Sequence, residues 1–299
     1  MTGHLDLRST LGLALLIAVL LPATGCSAWR VLFPAKIYET EPPVLPDTLA
    51  ETSILLFTKS NGFRHHEAIA AGVPFFEALA TRRGWSLFHT ENGAVHRADL
   101  LERFDAIVWF QTSGDTLNDE QKGALKSWIL DGGGFVAIHG AGGDPSYDWD
   151  WYVEQLIGAQ FVGHIMAPQF QQAKVSVEDR AHPATAELPE TFEHTEEWYS
   201  FDASPRGRGA RVLLSVDEAS YEQDLGWLGW FTENRLTMGD HPVVWSHCPG
   251  AGRALFSALG HQAVAYDVPE HQALLDGALA WAAGLHGREC THPLAPLGR

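Results

Sequence analysis

The feature that most constrains the fold is an alternation of short apolar runs with helical periods in the first half of the chain. Ser53–Thr58 is a continuous apolar run of strand length, which is typical of a strand buried on both faces. Apolar residues then recur every three or four positions across Ile69–Leu79, and Gly84 marks the end of the predicted helix. The first unit is therefore a buried strand followed by an amphipathic helix.

The same alternation continues to residue 139. Strands are predicted at Trp85–Thr90, Asp105–Gln111 and Gly134–His139, and helices at Ala98–Arg103 and Asn118–Leu130. Short connections between strands and helices favour right-handed crossovers and a parallel sheet. The sequence therefore predicts an α/β fold, and ligands of such sheets bind at the carboxyl ends of the strands.

The second half of the chain has a mixed pattern. We predict a helix at Trp149–Ile157 and strands at Gln172–Val177 and Arg211–Val216, which pair antiparallel. Further elements are predicted at the end of the domain: Val243–His247, Arg253–Leu259 and a helix over Glu270–Ala283. The last residues, 288–299, are predicted to be a disordered tail, so the domain spans residues 52–287.

The N-terminus predicts export. Arg8 precedes the apolar run Leu11–Leu21, which has the length of a signal peptide core. The run ends in PATGC, which resembles a bacterial lipobox and predicts cleavage after residue 25 and acylation of Cys26. An uncleaved anchor and an ordinary secretory signal are the alternatives. We expect a lipoprotein held on the outer membrane or cell surface, with the proline-containing stretch 26–51 as an extended tether.

The cysteine content is low. With Cys26 acylated, only Cys248 and Cys290 remain, and the chain has no CxxC spacing for a structural zinc site. Cys248 lies in an apolar strand, where a free cysteine behaves as a small core residue. We therefore predict that these two cysteines do not form a disulfide.

Composition narrows the classes of ligand. The formal net charge of −17 argues against binding of nucleic acid, because its phosphates would be repelled. The chain has 15 histidines and 11 tryptophans, whose side chains suit sugar or metal sites. A neutral or cationic small molecule is the expected partner.

Several histidines follow predicted strands directly, which places them at the edges of the sheet. They are His65 and His66 after the first strand, and His139, His247 and His261 after later ones. We expect these imidazoles to gather at one edge. Imidazole and carboxylate together are the ligand set of zinc, manganese or iron sites and also perform acid–base chemistry. The alternative is that each histidine is a separate, hydrogen-bonded structural residue.

Other polar residues lie in the predicted loops. His164 and His194 lie there with Glu196 and Glu197, whereas His182 and His241 precede prolines and are predicted to be structural.

Glu197 is followed by Trp198 and Tyr199, and a carboxylate beside aromatic rings is expected to be desolvated, with a raised pKa suited to proton transfer. Trp198 is interpreted either as a stacking surface for a sugar ring or as a core residue. Asp115, after the third strand, is expected to hold a sugar hydroxyl or to form an Asx turn.

Ordered motifs along the chain carry a family resemblance. They are TKSNGFRHHE, WFQTSGDTLNDEQ, GGGFVAIHGA, DWDWY, VEDRAHPAT, HTEEWYSF, DHPVVWSH and GRALFSALGH. Over Ile54–Gly284 the chain resembles the trehalose-utilisation (ThuA-like) family. The resemblance implies a flavodoxin-like, mostly parallel sheet with helices on both faces, as in class I glutamine amidotransferases, and a role with disaccharides oxidised to the 3-keto form. The matching positions are Arg64, His65, His139, His164, Glu197, Tyr199 and His261, whereas His66 stands where the family often has aspartate.

The amidotransferase relation is limited by one residue. The nucleophile of those enzymes lies in a Gly-x-Cys-x-Gly turn after a strand, and the equivalent stretch here, Ala137 to Ala141, has His139 at the thiol position. No thioester can form on an imidazole, so amidotransfer is not expected.

The resulting hypothesis is a metal-assisted enzyme that cleaves or rearranges 3-keto glycosides by proton abstraction and elimination or hydration. Zinc or manganese is expected on His65, His139, His164 or His261, with no nucleotide cofactor. Catalysis is assigned to Glu197, His139 and Tyr199, and substrate binding to Arg64, Asp115 and Trp198. A sugar oxidoreductase is the expected partner in the pathway. The alternative hypothesis is a lipid-anchored accessory protein that binds sugars without chemistry.

Overall fold

The structure is a computed structural model that describes residues 30–31, 33–144, 147–223, 236–286 and 290–296. The predicted leader and the predicted lipidation site, Cys26, lie outside the described residues. Within the described part of the chain, no helix is both long and apolar enough to cross a membrane.

The elements follow the predicted order closely. The strands are β1 Ser53–Phe57, β2 Ser86–Thr90, β3 Ala106–Phe110, β4 Gly134–Ile138, β5 Phe161–His164, β6 Gln171–Val177, β7 Thr191–Glu196, β8 Tyr199–Phe201, β9 Arg211–Val216, β10 Pro242–His247 and β11 Arg253–Ser257. The helices are α1 His66–Arg83, α2 Ala98–Leu101, α3 Asp119–Leu130 and α4 Pro269–Ala282, with a π-helix at Tyr152–Ile157. Asn118 and Gln121 form a capping box at the start of α3.

Nine strands form one sheet in the order β2-β1-β3-β4-β11-β10-β9-β6-β7. The first five are parallel to one another. Their order, in which the second strand precedes the first and the others follow outward, is that of flavodoxin-like folds. β1, β3, β4 and β11 are buried along their whole length, as expected for strands covered on both faces. The predicted parallel α/β fold is confirmed.

The helices cover both faces of this sheet. The connection β1-α1-β2 moves along the sheet in one direction, and β3-α3-β4 moves in the other. Right-handed crossovers, which are nearly universal between parallel strands, therefore place α1 and α3 on opposite faces. The turn at residues 263–267 contacts both α1 and α4, whereas α2 contacts α3.

The second half of the sheet is antiparallel. β10, β9, β6 and β7 each run opposite to their neighbour, and the predicted antiparallel pairing of β6 with β9 is confirmed. A separate two-stranded ribbon joins β5 to β8. β5, β7 and β8 were not predicted, because they are short and β7 alternates polar, exposed residues with buried ones.

The antiparallel turn overturns one expectation about histidines. β10 runs opposite to β11, so His247 at its end is paired with Ala254 near the start of β11. The end of β10 therefore lies at the amino edge of the parallel strands. There the Nε2 of His247 donates to the carbonyl of Leu156 at 2.8 Å. The prediction that His247 joins the other strand-end imidazoles is wrong.

The two remaining cysteines also differ from expectation. Cys248 and Cys290 form a disulfide, with their Cα atoms 5.6 Å apart. The free-thiol prediction is wrong because it considered only the apolar strand around Cys248 and not the segment that carries Cys290. Residues 290–296, part of the predicted disordered tail, instead lie on the domain, where Cys248 N donates to His292 O at 2.9 Å and Ala295 N donates to Arg208 O at 2.7 Å.

The segment before β1 is irregular, but it is packed on the domain. Glu39 accepts hydrogen bonds from Lys59 Nζ at 2.5 Å and from Gly93 N at 2.8 Å, and Leu45 belongs to the core. Residues 33–50 are thus held by the sheet edge and the loops around it. The prediction of a free tether is wrong for this stretch.

Candidate functional site

Three parallel strands direct imidazoles to one edge of the sheet. His65, His139 and His261 follow β1, β4 and β11, whose carboxyl ends lie together because the three strands point the same way. Glu197 reaches this edge from the two-residue connection between β7 and β8. The predicted convergence is therefore found for these three histidines and for this carboxylate.

The turn after β4 sets the position of His139. Its φ is +49°, a left-handed conformation that non-glycine residues adopt rarely and mostly at functional sites. The Nδ1 of His139 donates to Ala258 O at 2.7 Å, which leaves Nε2 as the atom facing the site. Gly140 follows, and a Cβ there would lie 3.0 Å from the ring of His65. A side chain at this position would therefore crowd the His65 ring.

Three of these side chains contact one another directly. His139 Nε2 lies 3.0 Å from His261 Nδ1 and 3.4 Å from Glu197 Oε2. His261 Nδ1 lies 2.9 Å from the same carboxylate oxygen. His65 packs edge-on against both rings, with centroids 5.0 Å from His139 and 4.7 Å from His261.

The donor atoms of this group converge on one point. His65, His139, His261 and Glu197 each offer one ligand atom, and these atoms all lie within 4.8 Å of one another. The Nδ1 of His65 is buried and has no hydrogen-bond partner among the described residues. Buried nitrogens in native proteins are normally bonded, so an orphaned one within a ligand set favours a cation site. We refer to these four residues as the ligand cluster.

His164 lies beside the ligand cluster rather than in it. Its Nδ1 is 3.2 Å from Glu197 Oε1, the oxygen that faces away from His139 and His261. Gln169 Nε2 donates to the same oxygen at 2.5 Å. The two oxygens of Glu197 are therefore divided between the cluster and a second pair of side chains.

Tyr199 forms a wall of the cluster. Its ring stacks on His139 with centroids 4.2 Å apart, and it is buried. Gly143 makes this possible, because a Cβ at that position would lie 2.1 Å from a carbon of the Tyr199 ring. Phe63 and Phe170, which are partly exposed, pack edge-on against His65 and His261.

The charge state of Glu197 differs from the prediction. Burial raises the pKa of this carboxyl, but the hydrogen bonds from His139 and His261 and the charge of His164 outweigh it, so the pKa lies well below its usual range. The expected raised pKa is wrong because it considered burial beside aromatic rings and not the hydrogen bonds that the imidazoles donate to this carboxylate. Glu197 is an anion at neutral pH, which suits a metal ligand.

The histidines of the site differ in the direction of their pKa shifts. Burial lowers the pKa of His139, yet the hydrogen bond and charges of Glu197 and Glu196 raise it overall. Burial, followed by repulsion from His139 and His261, holds the pKa of His65 well below its usual range. Burial also lowers the pKa of His164 and raises that of the Tyr199 phenol. Neutral imidazoles are the form that binds metal.

The three residues predicted to bind substrate are engaged elsewhere. Arg64 is paired with Glu91 at 2.6 Å. Asp115 is paired with Lys122 at 2.7 Å and accepts from Tyr38 at 2.6 Å, so both of its oxygens have structural partners. Trp198 is only 4% exposed. Its Nε1 donates to Gln171 O at 2.9 Å, so it is a core residue and not a stacking surface for a sugar.

The residues predicted to be structural are so placed. His182 Nδ1 accepts from Ala184 N, and His241 Nε2 donates to Tyr199 O at 2.8 Å. His66, adjacent to His65, is exposed on the first turn of α1. It faces solvent while its neighbour faces the cluster.

Two glutamines and one glutamate of the site were not predicted. Gln111 has a φ of +56°, donates to Gly260 O at 2.8 Å and accepts from Gly140 N at 3.1 Å. It ties the β4 turn to the β11 turn, and its position at the end of a predicted parallel strand is a signal that could have identified it. Gln169 and Glu196 had no such signal, since both depend on how the antiparallel strands fold back.

Comparison with known proteins assigns the chain to a family. The sequence profile of the ThuA family, described as trehalose utilisation, matches residues 53–282. A search of curated proteins found no significant match.

Solved structures share the fold. A ThuA-like protein from Bacteroides uniformis has 23% sequence identity and a TM-score of 0.64, covering 81% of this chain and 96% of its own. A ThuA-like protein from Parabacteroides merdae has 15% identity and a TM-score of 0.59, covering 81% and 97%. A cytoplasmic protein from Salmonella typhimurium has 12% identity and a TM-score of 0.50, covering 77% and 98%. The chain belongs to the ThuA, or trehalose-utilisation, family, which gives it a carbohydrate-related role.

Proposed function

We propose that this protein is a metal-assisted enzyme that cleaves glycosides already oxidised to a ketone at C3. The observation that carries the proposal is the ligand cluster, in which three imidazoles and one carboxylate offer donor atoms within 4.8 Å of one another at the carboxyl edge of the sheet. Such a set at the ligand-binding edge of a parallel fold is typical of a catalytic site. The family's link to trehalose utilisation supports a carbohydrate as the substrate.

The residues fit a divalent cation. Neighbouring donors of a tetrahedral zinc site lie about 3.3 Å apart, as follows from bonds of about 2.0–2.1 Å. His139 Nε2, His261 Nδ1 and Glu197 Oε2 are separated by 2.9–3.4 Å. The Nδ1–H of His139 is held by a backbone carbonyl, which is the usual outer support of a ligating histidine. Zinc or manganese would be held by these three residues and His65.

The chemistry follows from the ketone. A bound divalent ion supplies a Lewis acid for the C3 oxygen. Removal of the C2 proton breaks the C2–H bond and gives an enolate with a C2–C3 double bond. The C3 carbonyl is then restored while a C1–C2 double bond forms and the bond from C1 to the glycosidic oxygen breaks, and that oxygen leaves with a proton. Addition of water to the unsaturated product yields the free 3-keto sugar.

The chain's own side chains can move these protons. His164 is the most exposed imidazole in contact with Glu197, at 19%, and is placed to take a proton from a substrate that enters from solvent. The buried phenol of Tyr199, whose pKa is raised, stays protonated and is placed to donate a hydrogen bond. Phe63 and Phe170 line the cluster with partly exposed rings on which a sugar can pack.

Turnover of 3-keto substrates tests the proposal. Metal-depleted protein is reloaded with zinc or manganese and incubated with 3-keto-trehalose, other 3-keto glycosides and their unoxidised parents, and products are identified by mass spectrometry. We expect loss of the 3-keto substrates only, and only with metal present. In D2O, the 3-keto sugar product should carry deuterium at C2, since water adds across the C1–C2 double bond of the unsaturated product.

Two adjacent histidines provide a matched pair of variants. His65→Ala removes a buried member of the ligand cluster, whereas His66→Ala removes an exposed imidazole one residue away. We expect turnover to be lost in the first and retained in the second. Sugar binding without any product in the wild-type protein would contradict the enzyme and favour the accessory sugar-binding protein.

We also propose that the protein is exported and anchored by acylation of Cys26. The Cys248–Cys290 disulfide supports an oxidising compartment, where such bonds persist. Labelling of cells with an alkynyl fatty acid tests it. The wild-type chain should carry the label in the membrane fraction and Cys26→Ser should not, whereas a wild-type chain that stays unlabelled would contradict the anchor.

A further inference from the structure

A second layer of buried polar side chains lies beneath the ligand cluster. Glu196, adjacent to Glu197, is 1% exposed. Its Oε2 accepts from Gly260 N at 2.6 Å, and its Oε1 accepts from His261 N at 3.3 Å and from Glu197 N at 2.9 Å. One carboxylate therefore holds the backbone of two residues that face the site.

Two further buried imidazoles adjoin this carboxylate. His194 Nε2 lies 3.6 Å from Glu196 Oε2, which is longer than a hydrogen bond. His271 stacks on His194 with centroids 5.9 Å apart. Neither ring nitrogen of His271 has a hydrogen-bond partner among the described residues, and a Cβ at Gly260 would lie 3.3 Å from its Nε2. Nothing in the proposed reaction uses these imidazoles.

Burying several polar and ionisable side chains together is energetically unfavourable unless these side chains stabilise the fold or support the site. Replacement of buried charged groups by apolar side chains of similar volume is often neutral or stabilising. Apolar side chains, however, could not accept hydrogen bonds from three backbone N–H groups. The position of those N–H groups, on Glu197, Gly260 and His261, is the feature that distinguishes this layer.

We propose that Glu196 is the positioning residue of the site, fixing the backbone of Glu197 and of the Gly260–His261 turn so that their side chains meet. The ring of His194 lies beside this carboxylate and stacks on His271. Gln111 holds the same turn from the other side through Gly260 O. The inference rests on the proposed function only for the metal-binding part of its test.

Exchange of backbone amides tests the positioning without any metal. Glu196→Gln keeps the shape but loses one acceptor oxygen and the charge. We expect the amides of residues 197, 260 and 261 to exchange at least about tenfold faster in hydrogen-exchange mass spectrometry or NMR, since hydrogen bonds to charged groups are strong. Glu193→Gln, on the exposed face of the same strand β7, is the matched control and should leave these amides unchanged.

Metal binding gives the second readout. We expect Glu196→Gln to weaken Co2+ binding by about 10–100-fold, as for other residues that orient ligands, and to shift the visible spectrum of the bound ion. If Glu196→Gln does not fold, His194→Gln keeps the carboxylate and should change both readouts in the same direction by less. Unchanged amide exchange in folded Glu196→Gln overturns the inference. Faster exchange in a protein whose wild type binds no Co2+ supports the positioning role and contradicts the metal site.

Discussion

Histidines are buried at both edges of the parallel sheet, but their partners differ between the two edges. At the carboxyl edge, His139 and His261 face each other and share one oxygen of Glu197. At the amino edge, His247 donates to a backbone carbonyl, and its neighbour Cys248 is bonded to Cys290. The first arrangement consists of side chains that are one another's partners, whereas the second is fixed by the backbone and a covalent bond.

This difference follows from strand direction. Parallel strands bring their ends to one edge, so polar residues there meet one another and can exchange partners for a ligand. β10 runs antiparallel and carries its terminal histidine to the opposite edge, where the C-terminal segment is hydrogen-bonded to the next residue, Cys248. We therefore propose that the carboxyl edge serves binding and the amino edge stability. Four changes test that division, beginning with the largest expected effect.

Loss of the disulfide should affect stability alone. Cys248 and Cys290 are separated by 42 residues, and closing a loop of that size stabilises the fold by about 4 kcal/mol in the chain-entropy treatment. We expect Cys290→Ser to lower the free energy of unfolding in urea by about that amount, with metal affinity unchanged. A Cys290→Ser variant that folds but no longer binds metal would contradict the assignment of binding to the carboxyl edge and of stability to the amino edge.

Removal of one histidine from each edge should separate binding from stability. His139→Ala removes a ligand and is expected to lower zinc affinity at least about 100-fold, more than changes to residues that merely orient ligands. His247→Ala should keep zinc affinity within about twofold while lowering the melting temperature. Isothermal titration and thermal unfolding measure the two quantities. Equal losses of affinity in both variants would contradict the assignment.

A single methyl group should disturb the carboxyl edge. In Gly143→Ala the Cβ would lie 2.1 Å from the Tyr199 ring, which must shift from its stacked position on His139. We expect a loss of about 1–3 kcal/mol in stability, as for other overpacked sites, and a lower turnover rate. Gly123→Ala, in α3 with open space around the glycine, is the control and should stabilise by up to about 1 kcal/mol. If Gly143→Ala behaved like Gly123→Ala, the wall formed by Tyr199 would not matter.

The amino edge should also determine part of the acid stability. Burial lowers the pKa of His247 to about 4, below the value of about 6.5 in an unfolded chain. Between these values the unfolded chain binds a proton that the folded protein does not, so stability falls as pH decreases from 6.5 to 4. His247→Gln should reduce this slope by up to about one proton, measured by urea unfolding at several pH values. An unchanged slope would mean that His247 is protonated in the folded state.

The parallel half of the fold was predictable from sequence for a physical reason. β1, β3 and β4 are buried on both faces, so they are short apolar runs, and the helices between them carry their own period and caps. β7 carries Glu196 and leads to Glu197, but its alternating pattern TFEHTE is too polar to be distinguished from a loop. The antiparallel half of the sheet, which leads to Glu197 of the site, therefore had the weaker secondary-structure signal in the sequence.

The site residues show the same limit. His65, His139 and His261 were found because they follow parallel strands. Asp115 also follows such a strand, yet Lys122 and Tyr38 occupy its oxygens, which depends on how the N-terminal segment folds over the sheet. The disulfide depended on the C-terminal segment in the same way. Contacts made by terminal segments leave no periodic pattern in the sequence.

X-ray absorption at the zinc edge of the zinc-loaded protein tests the central claim most directly, because it identifies the ligands of the ion. We expect one ion per chain, bound by imidazole nitrogens at about 2.0–2.1 Å together with oxygen, as three histidines and one carboxylate require. The imidazole signal should weaken in His65→Ala and persist in His66→Ala. An ion surrounded by oxygen alone, or no bound ion, would contradict a metal centre at the carboxyl edge.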